Sequence, residues 1–144
     1  MTVLAWDGHT LAADKRASDN GRARTITKIR RAPNGHLIGC SGSVNRDAEL
    51  MAWYEAGAVP ADYPASERDS KECSMMVVIE PGPVVRFFNG TPYGAVFHER
   101  FFAMGSGRDY AEACMHLGLG ARRAVEVACE LDTGCGNGID ELTL

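Results

Sequence analysis

No stretch of this 144-residue chain approaches the roughly 18 consecutive apolar residues that cross a bilayer as a helix. Nothing at the N-terminus reads as a signal peptide, because Asp7, His9 and Asp14 interrupt the opening apolar stretch. A cytoplasmic protein without a membrane association is the expectation. There is no excess of positive charge: 15 Lys and Arg stand against 19 Asp and Glu, for a net charge of −4. That balance offers no basic field for nucleic acid. The five cysteines, Cys40, Cys73, Cys114, Cys129 and Cys135, are odd in number and irregular in spacing. None forms a Cys-x-x-Cys pair, and no His stands at metal-ligand spacing from one. Reduced, mostly buried thiols are expected, with no metal and no cofactor. Internal repeats, low-complexity tracts and linkers are also lacking. The length suits one domain spanning residues 1–144.

Apolar residues make up 45 % of the chain, enough for a sizeable core. Thr2 to Trp6 and Thr10 to Ala13 are short apolar runs around Asp7-Gly8, which predicts a β-hairpin. Ser18 to Arg24 is polar and contains a Gly, so a loop is expected. Thr25 to Arg31 and His36 to Cys40 read as strands around the turn at Pro33-Asn34-Gly35. Asn45 to Ala56 has helical spacing of apolar residues, and Gly57 can end that helix. Pro60 to Glu72 reads as a loop with one helical turn at most. Ser74 to Ile79, Val84 to Phe88 and Val96 to Met104 read as strands. Asp109 to Leu117 and Ala121 to Leu131 are rich in helix formers. A Gly-rich loop, 132–138, then leads to a last strand at Ile139 to Leu144. Strands, helix, strands, two helices and a strand suggest antiparallel sheets with helices packed outside, an α+β layered fold.

Several residues have types that suit catalysis, each with an ordinary alternative. Thr2 follows Met1, and a small second residue permits removal of the initiator methionine. The new terminus would carry a hydroxyl nucleophile and an α-amine of pKa about 7.7–8.0 that can serve as its base. Many chains begin Met-Thr without such a role. Asp14 at the end of a strand suits either a turn or the orientation of a cation. Lys28 is either an exposed strand lysine or a partly buried partner of Asp14 that lowers the pKa of the Thr2 hydroxyl. Gly39-Cys40-Ser41-Gly42-Ser43 joins a strand to a helix. Its backbone N–H groups can hold an oxyanion, and Ser43 can cap the helix. Gly105-Ser106-Gly107 is a second strand-to-helix junction.

Taken in order, these segments resemble the proteasome β-subunit family, and within it the bacterial ATPase-coupled protease HslV. Leu11-Ala12-Ala13-Asp14 is similar to the strand end that carries the family's catalytic aspartate. Lys28-Ile29-Arg30-Arg31 is similar to the segment of its catalytic lysine. Ile38 to Gly42, with Asp47, resembles the part that shapes the oxyanion hole and the S1 pocket. Met104-Gly105-Ser106-Gly107 resembles the Gly-Ser-Gly element. Asp132-x-x-Cys135-Gly136 resembles Asp-x-x-Ser-Gly, with a thiol in place of the usual hydroxyl. The resemblance implies a four-layer αββα sandwich and a threonine peptidase acting on unfolded polypeptides. It implies Thr2 as nucleophile, Asp14 and Lys28 as its activating pair, Ser106 and Asp132 as supports, and Cys135, among the oxyanion and substrate-binding residues, in the place of the serine that contacts the threonine. It places the oxyanion donor around Gly42 and Ser43, Cys40 near the bottom of the S1 pocket, and Ser18 near the substrate-binding strand. It also implies a homo-oligomeric ring and an ATPase partner. Two other functions suit the same residues: an N-terminal-nucleophile amidase on a small amide, and a non-catalytic structural homologue.

Overall fold

The computed structural model describes residues 1–65 and 73–144. Strands β1 (Leu4–Trp6), β2 (Thr10–Asp14), β10 (Phe102–Met104) and β11 (Ile139–Thr143) form one sheet in the order β10-β1-β2-β11. Strands β5 (Ile29–Arg31), β6 (Leu37–Gly42), β7 (Ser74–Glu80), β8 (Val84–Asn89) and β9 (Ala95–Phe97) form a second sheet in chain order. Every pairing in both sheets is antiparallel. Helices α1 (Val44–Glu55), α2 (Arg108–His116) and α3 (Ala121–Leu131) complete the layers.

Strand alternation sorts the apolar side chains into three cores. Leu4, Trp6, Leu11 and Ala13 from the first sheet meet Ile29, Leu37, Val77 and Ile79 from the second. The intervening residues Ala5 and Ala12 point the other way, onto Ala111, Ala124 and Ala128 of α2 and α3. Ile38, Cys40, Met76 and Val78 likewise leave the sheet interface and pack on Leu50, Met51 and Trp53 of α1. The small alanines on the outer face of β1 and β2 let the helices approach closely. Burial of each large side chain in the central layer contributes roughly 1.5–3 kcal/mol. The result is the α+β fold of layers α2/α3, sheet, sheet, α1 that the sequence predicts.

Local differences from the sequence reading have identifiable causes. The expected loop at Ser18 to Arg24 is a hairpin of β3 (Arg16–Asp19) and β4 (Arg22–Thr25). Asn20-Gly21 forms its tip, with φ of 47° and 81°, the left-handed pair that a tight hairpin needs. Its polar strands reflect four exposed residues in β4, so hydropathy hid it. The expected strand at Thr25 to Arg31 is interrupted: Thr25 ends β4, residues 26–28 are irregular, and β5 starts at Ile29. Val96 to Met104 is two strands in different sheets, β9 and β10, with the crossing at residues 98–101. Within Pro60 to Glu72, Pro60–Asp62 forms a 3-10 turn, and residues 66–72 lie outside the described ones. Ser43 precedes α1, but its hydroxyl makes no capping hydrogen bond.

Candidate active site

Thr2 lies just ahead of β1, Asp14 ends β2, and Lys28 precedes β5. The β1–β2 register pairs Leu4 with Ala13, which brings the start of one strand beside the end of the other. The Asp14 N–H donates to the Val3 carbonyl at 3.1 Å. Lys28 reaches the same place from the other sheet. Its own carbonyl accepts the Cys40 N–H at 3.2 Å, which ties this irregular segment to β6.

The three side chains are almost wholly buried, with 3 %, 0 % and 3 % of their residue surfaces exposed. Lys28 Nζ donates to Asp14 Oδ1 at 2.8 Å, to Thr2 Oγ1 at 3.1 Å and to the Met1 carbonyl at 3.0 Å. These contacts use all three of its protons. Asp14 is just as fully engaged. Oδ1 also accepts the Val3 N–H at 3.0 Å, and Oδ2 accepts the N–H groups of Arg16 at 3.1 Å and Gly136 at 3.0 Å. A buried lysine with these partners is a fixed cation beside a hydroxyl. Such a cation favours the alkoxide form of that hydroxyl. Of the two alternatives left open for Lys28, the structure takes the buried one.

Ser106 stands on the opposite side of Thr2, in the turn between β10 and α2. Its Oγ accepts the Thr2 N–H at 3.3 Å and lies 3.8 Å from Cys135 Sγ. The Cys135 thiol donates to Asp132 Oδ2 at 3.4 Å, and Gly134 N–H donates to Asp132 Oδ1 at 2.8 Å. The Ser106 hydroxyl and the Gly134 N–H hold the Asp132 carboxyl below its ordinary range. Burial, with the Asp14 charge nearby, pushes the Cys135 thiol up to about 12. It is therefore a neutral, weak donor at physiological pH.

A cavity of about 260 Å³ opens at Thr2 and is lined by Ser18, Lys28, Gly42, Ser43 and Asp47 among others. Strand geometry distinguishes the two candidate oxyanion donors. The Ser43 N–H is already given to the Cys73 carbonyl at 3.1 Å, on the β7 side of β6. Amides alternate in direction along a strand, so Gly42 shares the side of Cys40, which faces Lys28. The Gly42 N–H is therefore on the β5 side of β6, and Gly42 and Thr2 line the same cavity. Ser18 is itself exposed on β3 and sits at the cavity edge. Cys40 is not at the cavity lining; it is buried in the core between β6 and α1.

Arg16 was not singled out by the sequence. Its guanidinium donates to the Thr133 carbonyl at 2.7 Å and to Asn137 Oδ1 at 3.0 Å. It thus ties the 132–138 loop to β3. No local signal marks it, since its partners lie more than 110 residues away in the chain.

No protein-family model matches the chain, and no curated protein matches it either. Solved structures do. The chain is 20 % identical to Thiobacillus denitrificans BPH, with a TM-score of 0.74 over 100 % of this chain and 97 % of that one. The structure of the same BPH in complex with epoxomicin gives 20 % identity and a TM-score of 0.75, over 100 % and 98 %. Eukaryotic HslV from Trypanosoma brucei is 18 % identical, with a TM-score of 0.71 over 98 % and 97 %. Likeness at that identity is a likeness of architecture, and it extends over nearly the full length of each chain: this protein has the proteasome- and HslV-type αββα fold.

Proposed function

We propose that this protein is a threonine peptidase whose nucleophile is Thr2, exposed as the N-terminal residue by loss of Met1. The observation that carries the proposal is the buried chain Asp14–Lys28–Thr2, with contacts of 2.8 and 3.1 Å, at the head of a cavity. The likeness to a BPH that binds epoxomicin supports it.

In this mechanism the Thr2 hydroxyl attacks a peptide carbonyl and its proton passes to the Thr2 α-amine. Lys28 steadies the developing alkoxide, and Asp14 holds Lys28 in place. The Gly42 N–H receives the oxyanion. Collapse of the tetrahedral adduct breaks the C–N bond, and the amine leaving group takes the proton from the α-amine. Water then attacks the ester on Thr2 with the α-amine again as base; the ester C–O bond breaks, the carboxylic acid leaves, and the amine returns the proton to the Thr2 Oγ. Ser106 lies beside that amine, and Asp132 and Cys135 orient Ser106. Polypeptide substrates, a homo-oligomeric ring, an ATPase partner and a cytoplasmic setting belong to the same proposal and rest on the resemblance to HslV.

Intact-mass measurement tests it. The mature protein should lack Met1 and gain one adduct with a peptide epoxyketone, and Thr2→Ala should abolish the adduct. Retention of Met1 with no adduct would sink the catalytic reading and leave a structural homologue. Hydrolysis of small amides but not of peptides would favour an amidase.

A further inference from the structure

The bond between Met1 and Thr2 is built into the fold. Met1 is exposed, but Thr2, Val3 and Leu4 are buried. Lys28 Nζ donates to the Met1 carbonyl at 3.0 Å, and the Thr2 N–H donates to Ser106 Oγ at 3.3 Å. The next groups along the chain are held as firmly. The Thr2 carbonyl accepts the Gly107 N–H at 3.1 Å, the Val3 N–H donates to Asp14 Oδ1 at 3.0 Å, and the Val3 carbonyl accepts the Asp14 N–H at 3.1 Å. Leu4 then enters β1, which is paired on both sides, with β10 and with β2. The Met1 side chain lies against Gly134, where a methyl group would overlap its Sδ and Cβ. Met1 also lines the 260 Å³ cavity at Thr2 and a second cavity of about 370 Å³ that reaches Ser106.

An aminopeptidase can cut this bond only where the terminal segment leaves the body of the protein and enters the aminopeptidase's own site. Here that means withdrawing residues 1–3 from all of these hydrogen bonds and loosening the start of an inner strand. We propose that the fold itself sets the order of maturation: Met1 is removed before β1 closes, and a chain that folds with Met1 in place stays locked and inactive. The proposal rests on Thr2 being the nucleophile, and it concerns when that nucleophile becomes available. Removal is a hydrolysis. Water gives its hydroxyl to the methionine carbonyl carbon and a proton to the Thr2 nitrogen, and the C–N bond breaks. Until then the Thr2 nitrogen is an amide, too weak a base to take the hydroxyl proton, and Met1 covers the entry to the cavity. In the folded chain, trimming proceeds only through the small fraction of molecules in which the start of β1 is open.

The test uses the full chain made in a reconstituted translation system that contains deformylase but no methionine aminopeptidase. Purified methionine aminopeptidase is added either during synthesis or after folding, and a free peptide of residues 1–12 serves as the reference for an open terminus. Intact mass follows the loss of Met1. The peptide and the chain trimmed during synthesis should lose Met1, and the folded protein should lose it about 100-fold or more slowly than the peptide. A smaller ratio overturns the proposal, as does loss of Met1 by the folded protein without added enzyme. A peptide epoxyketone separates the two levels. The chain trimmed during synthesis should gain one adduct, and the folded chain that keeps Met1 should gain none. An adduct on the Met1-bearing chain overturns the lock. No adduct on the trimmed chain overturns Thr2 as nucleophile, and the trimming rates then still decide whether the fold protects the bond.

Discussion

Asp14→Asn and Lys28→Met break the same 2.8 Å ion pair, yet the surroundings predict unequal costs. Lys28→Met removes the cation and leaves Asp14 with three backbone N–H donors, from Val3, Arg16 and Gly136. Each such bond to a charged acceptor contributes about 1.5–3 kcal/mol, so the remaining carboxylate is well compensated. The methionine also refills the volume of the lysine stem. A destabilisation of about 2 kcal/mol is expected, near the lower end for loss of a charged hydrogen-bond partner. Asp14→Asn is worse on two counts. It leaves a buried ammonium with only neutral acceptors, the Thr2 hydroxyl and, in the unprocessed chain, the Met1 carbonyl. It also turns an NH2 group toward backbone N–H donors. Breaking a buried pair on the side that strands the charge costs about 3–5 kcal/mol. Both variants should lose peptidase activity by about 100-fold or more, since each removes the fixed cation or its anchor. Urea denaturation at neutral pH reads the order directly. At about 3 °C per kcal/mol for a chain of this size, Tm should fall about 6 °C for Lys28→Met and at least 9 °C for Asp14→Asn. The double variant should be less destabilised than the sum of the singles. If Lys28→Met proves the more damaging, the backbone donors do not sustain Asp14 and this account of the pair is wrong.

Other perturbations reach the site from its frame. Gly105 has φ of +95°, and a methyl group there would overlap the Thr2 carbonyl. Gly105→Ala should therefore cost about 3 kcal/mol and displace the nucleophile, visible together as a lower Tm and a lower rate of epoxyketone modification. Asp7 stands at the β1–β2 turn and accepts N–H groups from His9, Thr10 and Ala121, the last at the start of α3. Burial opposes ionisation of its carboxyl, but these three donors outweigh it and lower the pKa. A lowered folded pKa stabilises above the unfolded value of about 3.9 and is lost as pH falls through the folded one. Asp7→Ala should cost about 1 kcal/mol at pH 7 and show less acid sensitivity below about pH 4 than wild type; equal acid limbs would refute the assignment. Native protein treated with iodoacetamide at pH 8 should be alkylated first at exposed Cys73. Burial holds Cys40 well above its ordinary range, Cys129 at about 11 and Cys135 at about 12, so rapid labelling at three or more thiols by peptide mapping would contradict that.

The layers were legible because they rest on periodicity. Leu4, Trp6 and Leu11 alternate with Ala5 and Ala12, and that alternation survives unchanged as two faces of one sheet. The β3–β4 hairpin was not legible from hydropathy, because its strands face solvent and carry little apolar signal; its mark was the Asn20-Gly21 pair alone. The break between β9 and β10 was hidden for the opposite reason. Both strands are apolar, so one continuous run conceals a change of sheet. The site divides along the same line. Thr2, Asp14 and Lys28 each looked ordinary on residue type, and their meaning came from resemblance in order, not from spacing.

What makes these residues one site is a single topological fact: the start of β1, the end of β2 and the approach to β5 lie at the same end of both sheets. The turn after β10 and the loop after α3 return to that end as well, bringing Ser106 and the 132–138 segment to Thr2. A residue such as Arg16, which joins that loop to β3 across the fold, has no neighbour in sequence to announce it. The proposed oxyanion donor turns on a still finer fact, the direction of alternate amides in β6. The Cys73 carbonyl takes the Ser43 N–H and leaves the Gly42 N–H on the other side of the strand, the side of Lys28. Sequence order identified the segment, and strand pairing then chose the atom within it.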